Sequence, residues 1–252
     1  MVLLIQDWIK LPDFSHGFLV PIVGLFLVWR KREELSAPFR PNNLGLVVLL
    51  FGLALLFFGR LAAEYFTQRL SMIIVIAGTI LFLFGRHQLK SLAFPLAFLL
   101  LMIPLPSILL QNITGPMQFF ASTCAAASLE VLGIPVLREG NIIHLANTSL
   151  EVAEACSGIR SMISLLTLGV LFAYFTTNVF RRRIVLVLAC LPITVLVNAF
   201  RVSITGVLAH FYGPAAAGGF FHEFSGYVLF LLAAVLFYGV SALLSHPTPA
   251  QK

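Results

Sequence analysis

Arg181-Arg-Arg-Ile-Val-Leu-Val-Leu-Ala-Cys-Leu-Pro-Ile-Thr-Val-Leu-Val-Asn-Ala-Phe-Arg201 carries the clearest structural signal in the chain. Three arginines open the stretch, a largely apolar run over residues 184–200 follows, and one arginine closes it. Backbone polar groups in hydrocarbon must be satisfied internally, so such a run crosses a membrane as a helix or as part of a closed barrel. It is long and does not alternate, which favours the helix.

The same grammar repeats along the chain. Residues 16–29 form an apolar run followed by Arg30-Lys31-Arg32. Residues 44–58 form the next. Residues 70–84 lead into Arg86-His87-Gln88-Leu89-Lys90. Residues 92–103 stop at Pro104-Leu105-Pro106, because proline cannot continue the hydrogen-bond ladder. Residues 158–177 precede the opening stretch, and residues 222–244 make the last run. Residues 202–211 either extend the helix before them or lie in the interface. Of 252 residues, 60% are hydrophobic and 10% charged, against about 25% charged in soluble domains. The expectation is one domain over residues 1–252, an all-α polytopic membrane protein. It has about seven to eight membrane helices, some re-entrant or interfacial, since a span takes roughly 20 residues. The net charge of +6 sits in short clusters between apolar runs. That is a topology signal, not a nucleic-acid surface. No cleavable signal peptide is evident, since residues 1–10 are short and lack a basic start. Three cysteines, Cys124, Cys156 and Cys190, show neither metal nor disulfide spacing, and no cofactor or metal is expected. Cys124 and Cys190 fall in apolar runs and read as structural.

Residues 107–154 differ in character. The part over 111–132 carries Gln111, Asn112, Gln118, Ser122, Thr123, Ser128 and Glu130, and reads as interfacial or re-entrant. Arg138-Glu-Gly-Asn141 is a turn between β runs at 134–137 and 142–145, a short extracytoplasmic hairpin. A third β run at 150–153 leads into Glu151-Val-Ala-Glu-Ala-Cys-Ser-Gly-Ile-Arg160.

Charge parity places residues by side. With Arg30–Arg32, Arg86–Lys90 and Arg181–Arg183 all cytoplasmic, the segment before Cys156 lies outside, provided 107–132 does not span. Cys156 and Arg160 then stand at the outer end of the fifth run. Arg201 ends the sixth on the same face, and His222 begins the last there, provided 202–221 also stays outside. His16 and Asp13 fall on that side as well.

A thiol beside an imidazole is a nucleophile–base pair. A cysteine at a helix start is further activated by the unpaired N–H groups and the positive end of the helix dipole. His222 can take the thiol proton and return it to a leaving amine. A guanidinium stays protonated and serves to stabilise a thiolate or an oxyanion, the role open to Arg201. Arg160, one turn beyond Cys156, is a supporting cation, and Asn198 can orient Arg201 or a substrate amide. Together these groups fit acyl transfer from a peptide bond through a thioester. For each residue a blander role stands beside this one: apolar filler for Cys156, interface anchor for Arg160 and Arg201, interhelical hydrogen bond for Asn198.

Three ordered motifs carry a resemblance: residues 152–161 around Cys156, Asn198-Ala-Phe-Arg-Val202, and His222 with Gly226. With Phe14-Ser-His-Gly-Phe-Leu-Val-Pro21, Trp29-Arg-Lys-Arg32 and Gly133-Ile-Pro-Val-Leu-Arg-Glu-Gly-Asn141, they make the chain similar to the exosortase/archaeosortase family. His222, where archaeosortases tend to carry arginine, points to the bacterial branch. The resemblance implies a cysteine peptidase or transpeptidase of the bacterial inner membrane, its active site facing the periplasm. Its partner would be the C-terminal sorting-signal helix of exported proteins, of PEP-CTERM type: a Pro-Glu-Pro-like motif, one membrane helix and a basic end. It assigns catalysis to Cys156, Arg201 and His222. Arg160, Asn198, Glu154, Ser157 and His16 are supporting or substrate-binding candidates, and membrane lipids surround the site. The family usually has a further helix before the Ser-His-Gly motif, where this sequence has residues 1–15 and the expected helix count departs from the family's. The rival class is a small transporter, with Arg201, His222 and Glu154 lining a polar path, or a non-catalytic subunit of polysaccharide export. A transporter calls for ionisable groups at the midplane and two related halves; no repeat is visible.

Overall fold

The computed structural model describes residues 2–10, 12–146, 148–152, 158–177, 179–213 and 219–245. The chain divides into two compact units, Met1–Ser107 and Ile108–Lys252. Among the described residues, three helices are long and apolar enough to cross a membrane: Leu44–Leu61, Tyr65–Leu83 and Phe180–Tyr212. Shorter apolar helices run over Phe14–Arg30, Ala93–Met102, Ile163–Thr176 and Val228–Leu244. This is a mostly helical membrane protein.

The first unit begins with α1 (Val2–Lys10), a 3-10 segment (Pro12–Phe18) and α2 (Leu19–Arg30). Then come α3 (Arg32–Leu35), α4 (Leu44–Leu61), α5 (Tyr65–Leu83), α6 (Arg86–Ser91), α7 (Ala93–Phe98) and a last 3-10 turn (Leu99–Met102). Between α4 and α5 the chain makes a tight turn over residues 62–64. Glu64 is the N-cap of α5, accepting from Phe66 N at 3.0 Å and Thr67 N at 2.5 Å. Burial pushes this carboxyl up, but the Thr67 and Phe66 bonds outweigh it, and its pKa is lowered.

Glycines set the distance between α4 and α5. Gly45, Gly52 and Gly59 are the buried residues of α4, while Val47, Leu50, Phe51, Phe57 and Phe58 are exposed, as suits a helix among lipid tails. A methyl group at Gly45 would stand 2.2 Å from Phe82 N, and one at Gly78 would stand 2.5 Å from Leu49 N. The backbones therefore touch, the contact that small residues permit where no hydrophobic effect drives helices together. We expect Gly78→Leu to force the hairpin apart, costing at least about 1–3 kcal/mol, read as a lowered midpoint of thermal unfolding in detergent. An unchanged midpoint would contradict this packing.

The two ends of this unit are chemically distinct. At one end Lys31 Nζ donates to Glu34 at 3.1 Å, Gln88 Nε2 donates to Ala37 O at 3.0 Å, and Arg40 N donates to Phe84 O at 3.1 Å. Bonds from Lys31 and Ser91, then the charges of Lys31 and His87, hold Glu34 below the usual carboxylate range. The clusters Arg30–Arg32 and Arg86–Lys90, far apart in sequence, thus meet at one end. At the other end Asp7 pairs with Arg69, Trp8 Nε1 donates to Met102 O at 3.0 Å, and the Leu101 carbonyl lies 3.2 Å from His16 Nε2. Gly17 is needed here, because a Cβ on it would overlap the Trp8 indole, 2.3 Å from Nε1.

The second unit holds α8 (Ser107–Val131), strands β1 (Val136–Glu139), β2 (Ile142–Leu145) and β3 (Thr148–Glu151), and helices α9 (Gly158–Thr176), α10 (Phe180–Tyr212) and α11 (Gly219–Ser245). The strands form an antiparallel meander, Leu137 facing His144 and His144 facing Ser149. The expected hairpin and the third β run join in one small three-stranded sheet within a mostly helical chain. β1 starts two residues later than the periodicity suggests, because the helix cap consumes them. Gly133 takes φ 76°, and Ile134 N reaches back to Leu129 O at 2.9 Å, closing α8 in a Schellman-type turn. β3 ends at Glu151 rather than at 153.

Two cores organise the unit. Ala121, Ala125 and Leu129 of α8 pack with Ile143, Leu145, Leu150 and Val152 of the sheet region and with Ala199, Val202 and Ala209 of α10. Leu165 and Ala173 of α9 pack with Leu186, Cys190, Ile193 and Val197 of α10 and with Leu229, Ala233 and Phe237 of α11. Cys190 is buried in the second core, 3.9 Å from Leu165 O, in space left by Gly169. Cys124 is half-buried and packs against the first.

Candidate active site

Helix α10 is one unbroken element through Arg201, so residues 202–211 extend the sixth run. At about 1.5 Å per residue, Arg183 and Arg201 are separated by roughly 27 Å, close to the ~30 Å thickness of a hydrocarbon core. The rest of the helix packs on the sheet and α8 through Val202 and Ala209. The base is fixed too. Arg183 Nε donates to Thr177 O at 2.7 Å and its Nη2 to Tyr174 O at 3.2 Å, tying the last carbonyls of α9.

One stripe of α10 is polar and inward: Thr194, Asn198, Arg201 and Thr205, at spacings of four, three and four. Such spacing keeps residues on one helix face. Thr194, Asn198 and Thr205 are buried. Thr194 Oγ1 donates to Cys190 O at 2.7 Å and Thr205 Oγ1 to Arg201 O at 2.9 Å. The two hydroxyls bond within their own helix, while Asn198 and Arg201 contribute an amide and a cation to the stripe.

These two line a small cavity with Leu165 of α9 and Gly226, Leu229 and Ala233 of α11. Its volume is about 20 Å³, room for a single water. The Arg201 guanidinium lies against α11 at Gly226: a Cβ built there would be 3.9 Å from Arg201 Nη2. His222 stands four residues earlier in α11, one turn away and on the same face as Gly226. So the α11 face that bears His222 is the one Arg201 approaches. The His222 and Arg160 side chains lie outside the described residues, as do Glu154, Cys156 and Ser157 entirely. Their flanks are described. Val152 is fully buried, with its N–H on Asn141 O at 3.0 Å, and α9 begins at Gly158. In sequence, Cys156 falls between these two described flanks. His16 belongs to the first unit, where Leu101 O is its partner.

A family model described as transmembrane exosortase matches residues 8–239. The chain belongs to the transmembrane exosortase family. No match was found among curated proteins or among solved structures. The exosortase match runs through both compact units and includes Cys156, Asn198, Arg201 and His222. Membership carries a general role, the processing of sorting signals at a membrane. It gives the polar stripe of α10 a setting, since this exosortase carries buried hydrogen-bonding groups beside an apolar core of three helices. Sequence reading picked out Asn198 and Arg201 but missed Thr194 and the fit of Gly226 against the guanidinium. The spacing of Thr194, Asn198, Arg201 and Thr205 was the available signal. The glycine contact lies between two helices and has no local signature.

Proposed function

We propose that this chain is a cysteine peptidase or transpeptidase that cleaves C-terminal sorting signals of exported proteins, of PEP-CTERM type, at the periplasmic face of a bacterial inner membrane. The observation that carries the reading is the approach of Arg201 to the His222-bearing face of α11, one hydrocarbon thickness from Arg183. An ionisable group at that depth stands at the opposite membrane boundary, not at the midplane where a transport path would need it.

In this mechanism Cys156 loses its proton to His222, and the thiolate attacks the scissile carbonyl. The charge developing on the carbonyl oxygen is met by Arg201, a preorganised cation in a water-poor setting. The C–N bond breaks, His222 returns the proton to the departing amine, and the acyl group remains on sulfur as a thioester. Water or an amine then attacks the thioester and restores the thiol. Asn198, buried one turn before Arg201 on the same face, orients the guanidinium or the substrate amide. Glu154, Ser157 and Arg160 flank the nucleophile in sequence and are its supporting candidates.

The test is co-expression with a tagged protein ending in a Pro-Glu-Pro-like motif, an apolar helix and a basic end. The expected result is a shortened product only when this chain is present. A full-length tagged protein in both strains would overturn the proposal.

A further inference from the structure

The first unit carries a cavity that the peptidase reading does not use. It has a volume of about 700 Å³ and is lined by Arg86, His87, Leu89 and Lys90 with Leu81 and Ala93. That is within the size range of small-molecule sites. Leu81 belongs to the last turns of α5, one of the helices able to cross a membrane. Arg86 stands three residues beyond the end of that span, so the cavity opens where hydrocarbon gives way to headgroups.

Its two kinds of wall come from one short helix. In α6, Gln88 and Ser91 are buried against the protein, while Arg86, His87 and Lys90 are exposed. Arg86 and Lys90 are four apart and share a face. Leu89, Leu81 and Ala93 supply an apolar side. The charges here are not neutralised internally. The neighbouring carboxylate, Glu34, is taken by Lys31 at 3.1 Å, and among the described residues no carboxylate lies within ion-pair distance of Arg86 or Lys90. Two cations beside an apolar wall at headgroup depth suit a ligand that is anionic at one end and aliphatic at the other.

We propose that this cavity is a binding site for an anionic phospholipid. The phosphate is held by Arg86 and Lys90, with His87 at the rim, and an acyl chain runs along Leu81, Leu89 and Ala93. Diffuse attraction to an anionic leaflet needs only exposed cations. A cavity with an apolar wall adds selection for a whole lipid over a free phosphate.

The experiment uses the full chain purified in neutral detergent, with lipid retention read by native mass spectrometry. The probes are phosphatidylglycerol, phosphatidylcholine and inorganic phosphate. The wild type is expected to retain one phosphatidylglycerol, with phosphatidylcholine retained at least about tenfold less and millimolar phosphate failing to displace the bound lipid. Arg86→Gln with Lys90→Gln is expected to lower phosphatidylglycerol occupancy about tenfold or more while the unfolding midpoint without lipid stays unchanged. Arg181→Gln with Arg182→Gln removes the same charge from the first turn of α10 in the other unit and should leave retention intact. Equal loss in that control, equal retention of phosphatidylcholine, or undiminished binding in the Arg86/Lys90 variant would overturn the site. Displacement by inorganic phosphate would overturn its assignment to a lipid. A lowered midpoint in the Arg86/Lys90 variant would assign these side chains to the fold and likewise overturn it.

Discussion

Cys156→Ala abolishes processing of a tail-bearing substrate while the protein still accumulates in the membrane: this is the expected result with the largest effect. Removing the nucleophile leaves no route to a thioester, so the loss is of the order of the whole covalent contribution, at least about 10³-fold, with only binding and oxyanion stabilisation remaining. The fold should survive. Cysteine and alanine are both small and apolar, so the exchange removes little volume, and the described cores of the second unit are built from α8, the sheet and α9 to α11. Immunoblots of substrate and enzyme from the same membranes decide it. Cys156→Ser is the sharper version, because the hydroxyl is nearly isosteric but a much weaker nucleophile. Normal processing by Cys156→Ala would exclude thioester chemistry at this residue.

Arg201→Lys is expected to lower processing by about 10²-fold or more, although charge is kept. The guanidinium is a planar fork with several N–H donors, whereas the ammonium is a single point charge. A lysine nitrogen on a shorter, unforked head cannot occupy both positions. Its effect should be shared by a residue that never touches substrate. At Gly226 an added methyl meets Arg201 Nη2 at an ordinary van der Waals 3.9 Å, so Gly226→Ala should retain most activity. Gly226→Leu fills the same space with a branched side chain and should displace the guanidinium, reproducing the Arg201→Lys defect. Initial rates on the tagged substrate, normalised to membrane abundance, separate the two glycine variants. Equal activity in Gly226→Leu and wild type would show that Arg201 does not act from its place beside α11.

Much of this molecule was legible from residue order. The apolar runs and the clusters that end them correspond to the spanning and shorter apolar helices, because in hydrocarbon a backbone has few options and a run of apolar residues takes the helical one. Parity likewise brought Arg30–Arg32 and Arg86–Lys90 to one side, and the first unit joins them through Lys31, Glu34, Ser91 and His87. Gly133 marked the end of α8, but its consequence for β1 was not legible. The reach of Ile134 back to Leu129 depends on the core into which both side chains fit.

Residue order alone places the chain in a membrane, marks its apolar helices and names the residue types that could do acyl transfer. Those features depend on local composition and on the cost of an unsatisfied backbone in lipid. It took long-range packing to carry α10 unbroken past Arg201, to seat its extension on a sheet rather than in the interface, and to rest Arg201 against α11 beside Gly226. Residues 202–211 are apolar enough for either course. The choice fell to the partners that bury Val202 and Ala209, and those partners come from strands and helices distant in the chain.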